Sequence, residues 1–150
     1  MEAITQRGIL DVSSIPSAGA VRGSRKVRWA GRALSGVAIL FLTFDALGKV
    51  FEIAPVMKGS TEIGFPASSV FWLGIVLLGC VVLYAFPRTA ALGAILLTGW
   101  FGGAIAIHVR AGNPLFSHTL FPIYVAVVVW GGLYLRSGRV RALFSMRVRQ

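Results

Sequence analysis

Four apolar runs, at residues 33–51, 69–86, 90–109 and 119–135, constrain this chain more than any other feature of it. Each is 17 to 20 residues long, and a helix of about 20 residues rises far enough to cross a hydrocarbon core of about 30 Å. The runs take up about half of the 150 residues, so no part of the chain is left to wrap them as the buried helices of a large soluble core. A composition of 56% hydrophobic and 13% charged residues lies far from that of soluble domains. The expected fold is therefore all-α, an integral membrane four-helix bundle with the lipid bilayer as its first partner.

The net charge of +10 does not point to nucleic acid, because the basic residues flank the apolar runs instead of covering a soluble face. Arg22, Arg25, Lys26, Arg28 and Arg32 precede the first run. Arg88 lies in the short link "FPRTA", and Arg136, Arg139, Arg141, Arg147 and Arg149 follow the fourth run. Only Lys58 and Arg110 fall clearly in the two opposite loops. This asymmetry predicts cytoplasmic N and C termini and a multi-pass protein of the plasma membrane. Residues 1–28 lack the apolar core of a signal peptide and read as a disordered basic tail. The membrane domain is then expected over 29–144, with a second basic tail over 145–150. The single cysteine, Cys80, lies inside the second run, so no dithiol chemistry is expected within this chain.

The first run carries the polar residues that most need explaining. Asp45, Lys49 and Glu52 are spaced four and three apart and share one helical face with Ala38 and Phe41. An isolated charge at the bilayer centre costs about 2.5–3.5 kcal/mol on the insertion scale, so such groups face the bundle or a wet cavity and pair. Asp45 before Lys49 is the favoured order for an i, i+4 ion pair. Asp45 lies about 18 Å up the helix from residue 33, in the outer half of the membrane, whereas Lys49 and Glu52 can reach the outer headgroups. His108 and Arg110 end the third run at the same level and His118 precedes the fourth. These polar groups therefore converge from segments far apart in sequence. As metal ligands, His108, His118, Asp45 and Glu52 have no diagnostic spacing, and no metal site is assigned. Phe41, Phe51, Phe65, Trp72, Trp100, Phe101, Phe116 and Phe121 bring aromatic surface toward the same half of the bundle, where they serve packing, an interfacial belt or the walls of an apolar ligand pocket. Gly99 and Gly103, four apart, would let a neighbouring helix approach the third span closely.

The stretches "LFLTFDALGKVFE", "GFPAS", "VVLYAFPRTAALGAILLTGWFGGAIAIHVRAGNP" and "FPIYVAVVVWGGLYLRSGRVRALF" follow one another in an order that resembles the DoxX-like family of small four-span membrane proteins. The resemblance covers about 110 of the 150 residues. It implies a four-helix membrane bundle whose relatives include subunits of quinone-linked oxidoreductases and components of oxidative-stress complexes. Carried over residue by residue, it draws attention to Asp45 and Lys49 in the first span and to His108 and Arg110 at the end of the third. Relatives often hold an acid within the second span, where this chain has Leu77.

Two main readings follow. In the first, the chain is a subunit or accessory protein that binds an amphipathic ligand, a quinone being one possibility, near the outer face. Asp45, Lys49, His108 and Arg110 would then bind ligand or handle protons, with Glu52, His118 and Trp100 in lesser roles. The sequence holds no catalytic motif and no redox centre, so electrons would come from a soluble or membrane redox partner. In the second, the protein is a scaffold whose intramembrane polar groups lock helices together. A small solute or proton carrier is a further alternative, although broken helices and inverted repeats are not evident.

Overall fold

A computed structural model describes residues 25–144, and these form six α-helices and one π-helical turn. Helix α1 spans Arg25–Val50, α2 Ala54–Glu62, α3 Ala67–Ala85, α4 Ala90–Arg110, α5 Phe121–Arg136 and α6 Gly138–Phe144, with the π-helical turn at Leu115–Thr119 before α5. Four segments, Arg25–Val50, Ala67–Ala85, Ala90–Arg110 and Leu115–Arg136, are long and apolar enough to cross a membrane. The expected all-α membrane bundle is thus present. Leu40, Phe44, Trp72, Val76, Ile95 and Val127 are all exposed on its flanks. An apolar belt of this size is untenable in water and ordinary in lipid.

The boundaries differ from the sequence expectation in three places. Helix α1 begins at Arg25 instead of residue 33, so Arg25, Lys26, Arg28 and Arg32 lie on its first two turns. The loop expected between the first two spans contains α2, which opens with Pro55 in its first turn, where a missing N–H costs nothing. The chain also turns helical again after Ser137, as α6. The expected tails at 1–28 and 145–150 lie outside the described residues, apart from 25–28.

The long helices form a ring in which α1 packs between α3 and α5, α4 completes the ring between α3 and α5, and α1 and α4 face each other across the middle. Small residues let α1 draw close to both neighbours. Its buried face is Gly31, Ser35, Ala38, Leu42 and Ala46, spaced three or four apart. A β-carbon on Gly132 of α5 would stand 2.6 Å from Ser35 Oγ, and one on Gly74 of α3 would stand 2.9 Å from the Ala46 carbonyl oxygen. Leu77, Leu97, Val129 and Leu133 fill the centre. Leu77 is fully buried in this apolar layer, where a carboxylate would lose its hydration.

Tyr84 ties three helices together near the α3–α4 hairpin. Its hydroxyl lies 3.0 Å from Ser35 Oγ of α1 and donates to the Val129 carbonyl of α5 at 2.8 Å. Arg136 Nη2 donates to the Tyr84 carbonyl at 2.8 Å, and its guanidinium stacks 4.8 Å from the centre of the Tyr84 ring. The hairpin itself is short because Pro87 and Arg88 make the turn, and Thr89 Oγ1 donates to the otherwise orphaned Leu83 carbonyl at 2.7 Å. Gly93 is the closest point of all: a β-carbon there would stand 2.3 Å from the Tyr84 backbone nitrogen.

Gly93→Ala should therefore lower thermal stability in detergent by about 1–3 kcal/mol, the usual cost of overpacking. Gly79→Ala, where a β-carbon meets nothing within 4 Å, should leave stability unchanged or raise it by up to about 1 kcal/mol through helix propensity. Thermal unfolding of the two variants side by side checks this, and equal behaviour would contradict the close α3–α4 contact.

Candidate functional site

Because α1 is drawn toward α3 and α5, space remains between it and α4 at the end of the bundle away from the hairpin. A cavity of about 790 Å³ occupies that space, a volume within the usual range for small-molecule sites. Leu42, Leu73, Phe101 and Val125 line it toward the middle of the bundle. Asp45, Lys49, His108, Asn113 and His118 line it toward the end, and Ser60 and Glu62 of α2 contribute from above. The cavity therefore grades from apolar to polar along the bundle axis.

Helix-ending turns place these polar groups. Helix α4 ends with Gly112 in the left-handed conformation, φ +67°. The Asn113 N–H donates to the His108 carbonyl at 3.1 Å and the Gly112 N–H to the Val109 carbonyl at 3.1 Å, the pair of bonds that defines a Schellman turn. That turn folds Asn113 back so that its side-chain nitrogen lies 2.8 Å from His108 Nδ1. Pro114 then starts the π-helical turn, which carries His118 to an edge-on position 6.0 Å from His108, ring centre to ring centre. Ser117 Oγ lies 2.8 Å from His118 Nδ1. With each Nδ1 held by a neighbour in its own segment, Nε2 is the atom each ring has left for a ligand.

The same turn type explains Glu52. At φ +50° it is the left-handed residue that ends α1, with the Ile53 N–H donating to the Gly48 carbonyl at 2.9 Å and the Glu52 N–H to Lys49 at 3.3 Å. Glu52 is exposed and does not line the cavity. Arg110 is also outside it. Its guanidinium lies against the turn between α2 and α3, with Nη2 2.9 Å from where a β-carbon on Gly64 would sit. Of the residues singled out in the sequence, Asp45, Lys49, His108, His118 and Trp100 come together around one space, while Glu52 and Arg110 share only its level.

Asp45 and Lys49 form the ion pair that their spacing predicts. The pair lies within α1, so it ties no helix to another. Cross-helix polar contacts are found elsewhere, in the Tyr84 cluster and where Trp130 Nε1 donates to Thr98 Oγ1 at 2.9 Å between α5 and α4. Phe41, Phe65, Trp100, Phe101 and Phe121 wall the cavity, with Phe41 and Phe121 edge to face at 5.7 Å. Phe51, Trp72 and Phe116 are exposed instead.

Gly99 and Gly103 depart from the sequence expectation. No helix approaches them, since a β-carbon on either meets nothing within 4 Å, and both line the cavity. They enlarge a space instead of closing a contact. Sequence reading also missed Ser60, Glu62 and Asn113, although "GNP" after a histidine is a legible helix stop and the i, i+4 pair Lys58–Glu62, at 3.9 Å, is a helix signal for α2. Among the described residues, no three His, Cys, Asp or Glu side chains are grouped so that they could hold a metal ion.

Four membrane-crossing helices around a polar-ended cavity define a multi-pass integral membrane protein of the four-span bundle class. A model of the DoxX-like family matches residues 33–132, and the chain belongs to that family. No curated protein and no solved structure matches it.

If the ion pair serves the cavity and not the fold, Asp45→Asn should cost only about 1 kcal/mol of stability, the scale of single polar contacts in membrane proteins. Adding Lys49→Gln should recover part of that loss, because it removes the ammonium left without its partner. Thermal unfolding of the single and double variants measures the coupling. Failure of Asp45→Asn to insert or fold would show that the pair holds the bundle together.

Proposed function

We propose that the cavity between α1 and α4 binds an amphipathic ligand with a flat polar ring, of the quinone class, and that the chain serves as a subunit or accessory protein of a quinone-linked membrane oxidoreductase or stress-response complex. The observation that carries this reading is an ion pair within a spanning helix, Asp45–Lys49, that lines with His108 a cavity of about 790 Å³ while bracing no second helix. The residues present suit such a ligand. Gly99 and Gly103 leave flat backbone surface, Trp100, Phe101 and Phe121 supply aromatic walls, and donors and acceptors lie at the polar end.

A bound quinone would supply two-electron, two-proton redox chemistry, with electrons from a redox partner, soluble or in the membrane. The chain's own part is to bind and orient the ring and to exclude water. Lys49 offers a positive charge to a ring oxygen, Asp45 holds that ammonium in place, and His108 and His118 offer Nε2 as donor or acceptor. Arg110, at the same level, acts through the α2–α3 turn that covers the cavity. Arg25, Lys26, Arg28 and Arg32 of α1, Arg88, Arg136 and the arginines of α6 lie at the hairpin end, so the proposed orientation puts that end in the cytoplasm and the cavity at the outer face of the plasma membrane.

The scaffold reading loses ground because the residues offered as helix locks make their polar bonds within α1 and within the end of α4. The test uses decylubiquinone titrated into the protein in nanodiscs, with Trp100 quenching as the readout and Trp100→Phe as the control. Gly103→Leu fills open cavity space, and should weaken binding by about tenfold or more while leaving the fold as stable as before, since displacing ring contacts of this size exceeds about 1.4 kcal/mol. Asp45→Asn should weaken it less, by about three- to tenfold. No saturable quenching by the unaltered chain, or equal binding by Gly103→Leu, would overturn the proposal.

A further inference from the structure

A second, smaller space of about 320 Å³ lies on the flank of the bundle between α4 and α5. These two helices are the least closely packed neighbours in the ring, and Gly102 contributes to the gap because a β-carbon there would meet nothing within 4 Å. Ile105, Ile123 and Val127 make its walls. Ile123 and Val127 are exposed, on a surface that in a membrane faces acyl chains. At its far end Trp130 donates to Thr98 Oγ1, and this bond spans the gap.

One side chain, Phe101, lines both this groove and the cavity. It is 5% exposed and stands between the two spaces. The cavity is apolar where it meets Phe101 and polar at the opposite end, so a ligand with its ring at the polar end has its apolar end directed at Phe101. From there the groove runs along α4 from Ile105 to Thr98, about 10 Å at 1.5 Å per residue.

Building on the quinone-class reading of the cavity, we propose that Phe101 is a gate through which the ligand passes laterally from the bilayer, and that the α4–α5 groove holds the first part of its hydrocarbon tail. The ligand is then a ring with a long unbranched or isoprenoid chain, not a small water-soluble quinone. Continuity between groove and cavity at one shared aromatic identifies the occupant: a bulk phospholipid acyl chain could lie in the groove, but its headgroup would remain at the membrane surface and not in the cavity.

The test compares two probes with the same ring, 2,3-dimethoxy-5-methyl-1,4-benzoquinone and decylubiquinone, in nanodiscs. Gly102→Leu fills the groove without touching the cavity lining. It should weaken decylubiquinone by about tenfold, as expected when a few tail methylenes lose their contacts, and leave the tailless probe unchanged. Phe101→Leu keeps an apolar side chain but shortens the gate, and should raise both association and dissociation rates of decylubiquinone by about fivefold or more with a smaller change in affinity. A decyl probe carrying a terminal diazirine should label 98–105 and 123–130. Equal weakening of both probes by Gly102→Leu, unchanged rates in Phe101→Leu, or labelling confined to α1 and α3 would overturn the gate and groove while leaving the cavity reading intact. Absence of binding by either probe to the unaltered chain would overturn both.

Discussion

The close approach of α1 to α3 and α5 is the constraint from which the rest of the structure follows. In a bilayer there is no hydrophobic force to press one apolar helix on another, so association depends on packing and on a few polar contacts. Here small residues meet at Gly31, Ser35 and Ala46 of α1, Gly74 of α3 and Gly132 of α5. Tyr84 adds hydrogen bonds to α1 and α5 from within that contact. A helix held tightly on two sides cannot also close on the third. The gap it leaves against α4 is widened by Gly99 and Gly103, and it becomes the cavity.

The two ends of the bundle divide the work. At the hairpin end, Gly93, Thr89, Tyr84 and Arg136 give close packing and cross-helix bonds. At the other end, all three positive-φ residues among those described, Glu52, Gly64 and Gly112, terminate helices around the cavity. Each reverses the chain sharply, so that α2, Asn113 and His118 are brought over the space left by the spans. Polar groups at that end bond mainly within their own segments. They are therefore positioned without being used up in holding the fold.

Much of this was legible in the sequence, for definite reasons. Run length and hydropathy mark spanning helices because every backbone group in lipid must be bonded within its own helix. The spacing of Asp45 and Lys49 fixes their pairing irrespective of what surrounds them. The meeting of His108 and His118 follows from antiparallel spans of similar length. What could not be read was the direction of a small residue. Gly93 and Gly99 look alike in sequence, yet one is in backbone contact with Tyr84 and the other borders open space, a difference set by tertiary packing, α4 meeting α3 at the hairpin but not α1 at the cavity. Glu52 stands apart from the cavity for a local reason: it occupies the left-handed position that ends α1, uncommon for a glutamate, although its regular spacing from Lys49 suggested a continuing helix.

DoxX-like membership and a multi-pass fold establish what kind of protein this is, and the cavity brings Asp45, Lys49, His108 and His118 around one space. The most direct measurement is mass spectrometry of the small molecules retained after mild purification, with the unaltered chain and Gly103→Leu processed in parallel. A cavity that binds a long-tailed quinone-class ligand should yield that class near one per chain from the unaltered protein and little from the variant. Recovery of bulk phospholipid alone, in equal amount from both, would contradict it.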